Sequence, residues 1–340
     1  MKKIIIVFLF LFNLSNAQVT SLDALNNFDQ FFNDAVIFSH KFITPATDAA
    51  VYQAASGWIF SCKKRKLRSA SFGIHTNLFL VPNSDREFLL QNSDFKFLKL
   101  QNETSAVIPS ALGDDREINI IDIYGVINPA KPLKSPKGVN QKIIVYPHFS
   151  ASLALWKQTE FILKFAPKTK INKGEFQVYG VGLKHNLSQY SKFLDTKKIN
   201  IALLISKSNE KINFNFFDIQ TNFGTLGINT INGDIDSWQF QVNASKEFGK
   251  FEIMLASITN KSDFEYNFSG EKGTIDNLIP FPGGSSQEYF NEKLKDIYKS
   301  KINSIVEVSA TYNLNKFYFQ SSFAFNKFLN SNLSVHYLLD

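Results

Sequence analysis

The chain has 340 residues, a net charge of +7, 35 phenylalanines and a single cysteine, Cys62. A lone cysteine excludes an intramolecular disulfide framework, and evenly spread Lys and Asp/Glu leave no basic tract for nucleic acid. After residue 17 no apolar run reaches the about 20 residues a membrane helix needs, so a membrane-embedded form has to be a closed barrel.

Met1-Lys2-Lys3 precedes an unbroken apolar run from Ile4 to Phe12, and Ser15-Asn16-Ala17 is a small-x-small cleavage site. Together they predict a secretory signal peptide over residues 1–17. Residues 18–55 do not alternate. Leu22, Leu25, Phe28, Phe32 and Val36 recur at helical spacing, and Pro45 and the small-residue run from Ala46 follow. This predicts a helical plug or hatch ahead of the first strand, folding back into a barrel from the periplasmic side. Phe28, Phe31 and Phe32 are its candidate ligand-binding residues, or equally its internal core.

From residue 56 to the end the dominant signal is period-two alternation. Trp238, Phe240, Val242 and Ala244 share one face of a strand; Gln239, Gln241, Asn243 and Ser245 share the other. Val306, Val308, Ala310 and Tyr312 repeat the pattern, as do Phe317, Phe319, Phe323 and Phe325. Strands near 56–62, 69–82, 118–127, 142–155, 158–168, 175–186, 198–207 and 211–222 are expected. Others are expected near 224–231, 237–246, 250–270, 303–314, 317–328 and 332–339. The segments are longer than sandwich strands and fit a closed antiparallel transmembrane β-barrel of about 14 strands, apolar stripes to lipid and polar stripes to a wet lumen. On that reading Phe240→Arg is costly and Gln241→Arg much cheaper. The strand at 250–270 requires a bulge near Asn260, because its apolar phase slips between Ser257 and Phe264. Lys63 to Lys66 and Arg68 fall in the first outer loop, and a short helix begins near Ser285-Ser286.

The arrangement of signal peptide, helical segment and strands resembles the long-chain fatty-acid transporter (FadL-like) architecture. Gly57-Trp58, Val81 to Asp85, Tyr146-Pro147, Tyr179 to His185 and Ser245 to Phe248 are similar to a family of uncharacterised outer-membrane proteins. The chain departs from such barrels in ending Tyr337-Leu338-Leu339-Asp340 rather than on an aromatic residue. The resemblance implies an outer-membrane location, lipid as partner and a lumen obstructed by the N-terminal segment.

No nucleotide loop, HExxH, CxxC or Gly-x-Ser-x-Gly occurs, and His40, His75, His148, His185 and His336 are scattered singly. No catalytic residue, metal site or cofactor is expected. Asp114-Asp115 reads as a solvated turn rather than a cation site. The leading expectation is a barrel that passes or binds a hydrophobic small molecule. A structural or surface-interaction barrel without transport is the alternative, and a membrane-embedded lipid hydrolase is the third. A transporter should show a continuous apolar path from loops to lumen; a hydrolase should bring a histidine within hydrogen-bond reach of a serine.

Overall fold

A computed structural model gives the backbone of residues 2–339 except 126, 128–131 and 222–223, and describes side chains from Asn26 onward. The export signal predicted over residues 1–17 lies outside the described side chains. Among the described residues, ten antiparallel strands close into one barrel. They are β1 (Ala70–Leu80), β2 (Ile143–Ala154), β3 (Thr159–Ile171), β4 (Gly174–Asn186) and β5 (Ile199–Asn215). The remainder are β6 (Thr230–Phe248), β7 (Phe251–Ser269), β8 (Lys299–Leu314), β9 (Phe317–Phe325) and β10 (Leu329–Leu339). Closure is made by β1, which pairs Ala70 with Leu339 on one side and with Leu153 on the other.

The expected fourteen strands reduce to these ten for identifiable reasons. Residues 56–62 bend through the lumen and join no ladder, and Asn119–Asp122 belongs to a small separate sheet with Leu98–Leu100 and Leu133–Lys134. The segment expected at 198–207 and the start of that at 211–222 are one strand, β5; the end of that at 224–231 and the segment at 237–246 are one strand, β6. Gln220–Thr221 and Gly224–Thr225 pair in a separate small sheet. No bulge occurs near Asn260, which pairs with Gln239 in an unbroken register; the register shift in the barrel lies at Ala166/Thr169.

The apolar stripes point outward and are exposed, whereas the polar stripes are buried. Trp238 and Phe240 are about half exposed, while Gln239, Gln241, Asn243 and Ser245 are buried. This inverts the pattern of a water-soluble domain, where the informative observation is an exposed apolar surface or a buried polar group. It is the pattern expected of a barrel whose outer face meets lipid.

Toward one end of the barrel that polarity reverses. On β7 the outward residues become Lys261, Asp263, Glu265 and Asn267, and the inward ones become Phe264, Tyr266 and Phe268, all buried. On β6 the outward Trp238 gives way to Asp236, Asp234 and Asn232, with Ile235 and Ile231 turned inward. β5 does the same at Lys207, Asn209 and Lys211, with Ile212 and Phe214 inward. Each strand continues unbroken while its outward residues change from apolar to polar, which reads in the sequence as a turn or a bulge. From Trp238 to Phe248, at about 3.3 Å per residue and a tilt of about 40°, the apolar band spans about 25 Å.

The two ends of the barrel differ. One carries tight turns at Trp156–Gln158, Gly249-Lys250 and Asn315-Lys316, and the somewhat longer connection 187–198. The other carries the long connections 81–142, 216–229 and 270–298. These long loops, with the small sheets and helix Ser286–Leu294, fold into a cap. Helix α1 (Lys2–Ala55) passes through Pro45 without ending and docks on this cap. Its Ser39, Phe42 and Ile43 are fully buried, while Asn33, Ile37 and His40 stay on the surface.

Candidate functional site

The lumen is where buried chemistry concentrates, and the chain itself occupies it. Helix α1 reaches the mouth at the long-loop end through the small side chains Ala46, Ala49, Ala50, Ala54 and Ala55, each buried. A helix with ordinary side chains is about 10–12 Å across; the alanines slim it where it meets the wall, and Tyr52 packs on Phe328 at 4.9 Å between ring centroids. There is little slack: a Cβ added at Gly233 would lie 2.8 Å from Thr47 Cγ2. Gly57, at φ +74°, ends the helix with the left-handed turn that glycine tolerates.

Residues 54–62 then run down the lumen, held largely by their backbone. Lys164 Nζ donates to the carbonyls of Ala54 (2.8 Å) and Ser56 (2.6 Å). Gln239 donates to Ala55 O (3.1 Å), Gln320 to Ile59 O (3.1 Å) and Thr311 to Phe60 O (2.8 Å). Lys184 donates to Ser61 O (2.8 Å) and Asn186 to Cys62 O (2.6 Å). In the other direction, Glu307 accepts from Gly57 N–H (3.3 Å) and Glu252 from Cys62 N–H (2.9 Å) and the Ser61 hydroxyl (2.6 Å). A segment buried without a ladder leaves its N–H and C=O groups orphaned unless side chains meet them. The inward polar stripes do so. Trp58 lies against Gly180 and Gly182 of β4, where an added Cβ would come 2.6 Å and 3.3 Å from its ring.

The charged groups of the lumen are buried, and one of the clamping lysines is also ion-paired. Lys184 and Glu160 form an ion pair at 2.5 Å, with 2% and 5% of their side chains exposed. Glu210 accepts from Ser237 (2.9 Å) and from Ser208. Three of the scattered histidines meet in the lumen: His75 and His148 stack with ring centroids 4.0 Å apart, and His336 stands edge-on to His75 at 4.8 Å. His336 also stacks on Phe60 of the threaded segment, 4.0 Å between centroids. No group of metal-ligating side chains with the geometry to hold an ion occurs among the described residues. His75 Nε2 lies 2.8 Å from Ser150 Oγ, and its Nδ1 lies 3.2 Å from Asn332 Oδ1. A serine–histidine contact therefore exists, but the void lined by Ser150, Trp58 and Phe60 is about 10 Å³. That is room for about one water molecule and none for an acyl chain.

Phe28, Phe31 and Phe32 lie in the cap, above the lumen rather than in it. Phe32 packs on Phe290 (4.7 Å between centroids) and Tyr289 (5.7 Å), Phe28 on Phe281 (5.7 Å) and Phe31 on Phe97 (5.7 Å). Nearby, the Asp34 carboxylate accepts the backbone N–H groups of Lys96, Phe97 and Leu98 at 2.7–3.0 Å. The helix thus enters from the long-loop end, opposite to the side expected. Lys63 and Lys64 sit at the tight-turn end, paired with Glu247 and Asp195, so the basic cluster is not at the end that carries the long loops.

Where α1 meets the rim, Asp48 is ion-paired to Lys301 (2.8 Å), Lys299 (3.4 Å) and Lys327 (3.4 Å). Burial pushes its carboxyl up, but the lysines outweigh burial and hold it below the ordinary carboxylate range. A carboxyl lowered in the folded state contributes stability above its unfolded pKa and loses it as pH falls through the folded value. The seat of α1 is expected to stay protease-resistant through mildly acidic pH and to loosen only in strong acid. In Asp48→Asn that acid-dependent step disappears; an unchanged acid transition by limited proteolysis would rule the contact out as its source.

The residues that carry this site were hidden in the sequence. Glu160 and Lys164 were visible only as the polar half of a stripe, and nothing in their spacing says that a segment a hundred residues earlier lies against them. The signal was their cost: charged groups at mid-strand inward positions require partners.

Among solved structures, the chain is similar to the translocator domain of the autotransporter NalP from Neisseria meningitidis. Identity is 9%, covering 87% of this chain and 95% of that one, with a TM-score of 0.30. It is also similar to the transport unit of the autotransporter AIDA-I from Escherichia coli (7% identity, 87% and 99% covered, TM-score 0.30). An outer membrane channel from Pseudomonas putida F1 matches at 8% identity, 81% and 97% covered, TM-score 0.31. No curated protein matches. A family model described as "Family of unknown function (DUF6588)" matches residues 1–339, and the chain belongs to that family.

Proposed function

We propose that this protein is an outer-membrane barrel closed by its own chain, which carries a folded cap on the cell surface. It serves as a structural or surface-interaction protein rather than as an open pore. The observation that carries this reading is the threaded segment 54–62, held from Lys164, Lys184, Gln239, Glu252, Glu307, Thr311 and Gln320 around the wall. Barrels of this kind turn short connections to the periplasm and long loops outward, which puts the cap outside. The route a hydrophobic molecule would need is broken. The cap interior is apolar, but its aromatic rings contact one another, and below it the lumen is polar and filled.

The test is conductance. Purified protein inserted in planar bilayers is expected to give no steady current. Glu252→Ala combined with Lys164→Met, which removes the grip on both halves of the segment, is expected to open channels. Steady wild-type conductance, or an apolar molecule co-purifying at one copy per chain, would overturn the reading.

A further inference from the structure

Chain path and loop polarity together make a statement that neither makes alone. Residues 26–46 of helix α1 lie at the long-loop end, tied there by Asp34 to residues 96–98 and by Phe38 to Phe217, 4.9 Å between ring centroids. Residues 54–62 run inside the closed ladder. Residues 63–65 emerge at the tight-turn end, where Lys63 pairs with Glu247 and Arg65 N–H donates to Gln158 (2.7 Å). Strand β1 starts from that same end at Ala70. The chain is therefore threaded through its own barrel, its two flanks at opposite mouths.

A protein delivered from the periplasm starts with all of its chain on the tight-turn side. Residues 26–53 then have to cross the membrane, and the barrel that encloses the following segment is the path. The contacts suit passage. They go mostly to main-chain carbonyls and N–H groups, which every residue except proline presents alike. Lumen-facing glycines at 73, 180 and 182 keep the wall thin where Trp58 and the histidines crowd in.

Resting on the orientation proposed above, we infer that the lumen is a polypeptide-binding conduit. It passes this chain's own N-terminal segment, recognises main-chain carbonyls and N–H groups, and arrests it at residues 54–62 with the helix displayed on the cell surface. Trp58 between Gly180 and Gly182, and the left-handed turn at Gly57, are the stop.

The experiment uses single cysteines in the full-length chain on intact cells, with a poly(ethylene glycol) maleimide too large to cross the outer membrane. The parent, whose Cys62 is fully buried, sets the background. Asn33→Cys and Ile37→Cys, both surface positions, are expected to label as fully as the long-loop control Lys272→Cys. Lys250→Cys, in a tight turn, is expected to label only after lysis. Heat-modifiable mobility on a gel confirms that each variant is folded. If Lys272→Cys labels on intact cells and both helix positions label only after lysis, the conduit is overturned while the orientation stands. If Lys250→Cys labels and Lys272→Cys does not, the orientation itself fails, and the passage with it.

Discussion

Lys184→Ala is expected to destabilise the barrel by about 3–5 kcal/mol, because it leaves Glu160 as a buried charge without its partner. The two groups are 2.5 Å apart and nearly inaccessible. The loss extends to the threaded segment, since Lys184 also donates to Ser61 O. Replacing both members, as in Glu160→Leu with Lys184→Met, is expected to recover most of that loss. An apolar pair of similar volume avoids the desolvation of two ions, and what remains is one orphaned carbonyl, about 1–3 kcal/mol. Urea unfolding in lipid vesicles, followed by tryptophan fluorescence, measures both variants. Lys184→Ala within about 0.5 kcal/mol of wild type would mean that the pair is hydrated and the lumen open.

The second large effect concerns depth. Phe240→Arg, outward in the apolar band, is expected to cost about 2–4 kcal/mol, whereas Asn209→Arg, outward on the neighbouring strand but past the polarity reversal, is expected to cost about 0–1 kcal/mol. The contrast reads the lipid boundary directly, by the same unfolding measurement. Equal costs at the two positions would place Phe240 outside lipid. Gln241→Arg, cheap if the inward stripe faced water, is now expected to be costly as well. Gln241 is 1% exposed and donates to Asn243 Oδ1 at 2.7 Å. An arginine there would need both space and an acceptor that the filled lumen lacks.

These cases show where sequence reasoning held. Alternation placed Trp238, Phe240 and Val242 on one face and Gln239, Gln241 and Asn243 on the other, and the barrel keeps that division. It did not reveal that the polar face is buried against the chain's own backbone, because polarity records what a side chain can bond to and not which group supplies the bond. The strand count failed for a related reason. Alternation assumes one environment along a strand, and β5 and β6 each change their outward polarity without a break in the ladder and so read as two strands apiece. The other two surplus strands, at 56–62 and 118–127, lie outside the ring.

What the sequence determined by itself is local: period-two faces, the helical spacing of Phe28, Phe32 and Val36, and the want of any apolar run that could cross a membrane as a helix. Those features need only neighbours a few residues apart. Which mouth the helix enters, which carbonyl Lys164 holds and how three scattered histidines come to share one lumen were decided by closure of β1 onto β10 and β2. The pairing of β1 with β10 joins residues more than two hundred positions apart, and a periodicity of two carries no information about which strands will be neighbours once the ring is closed.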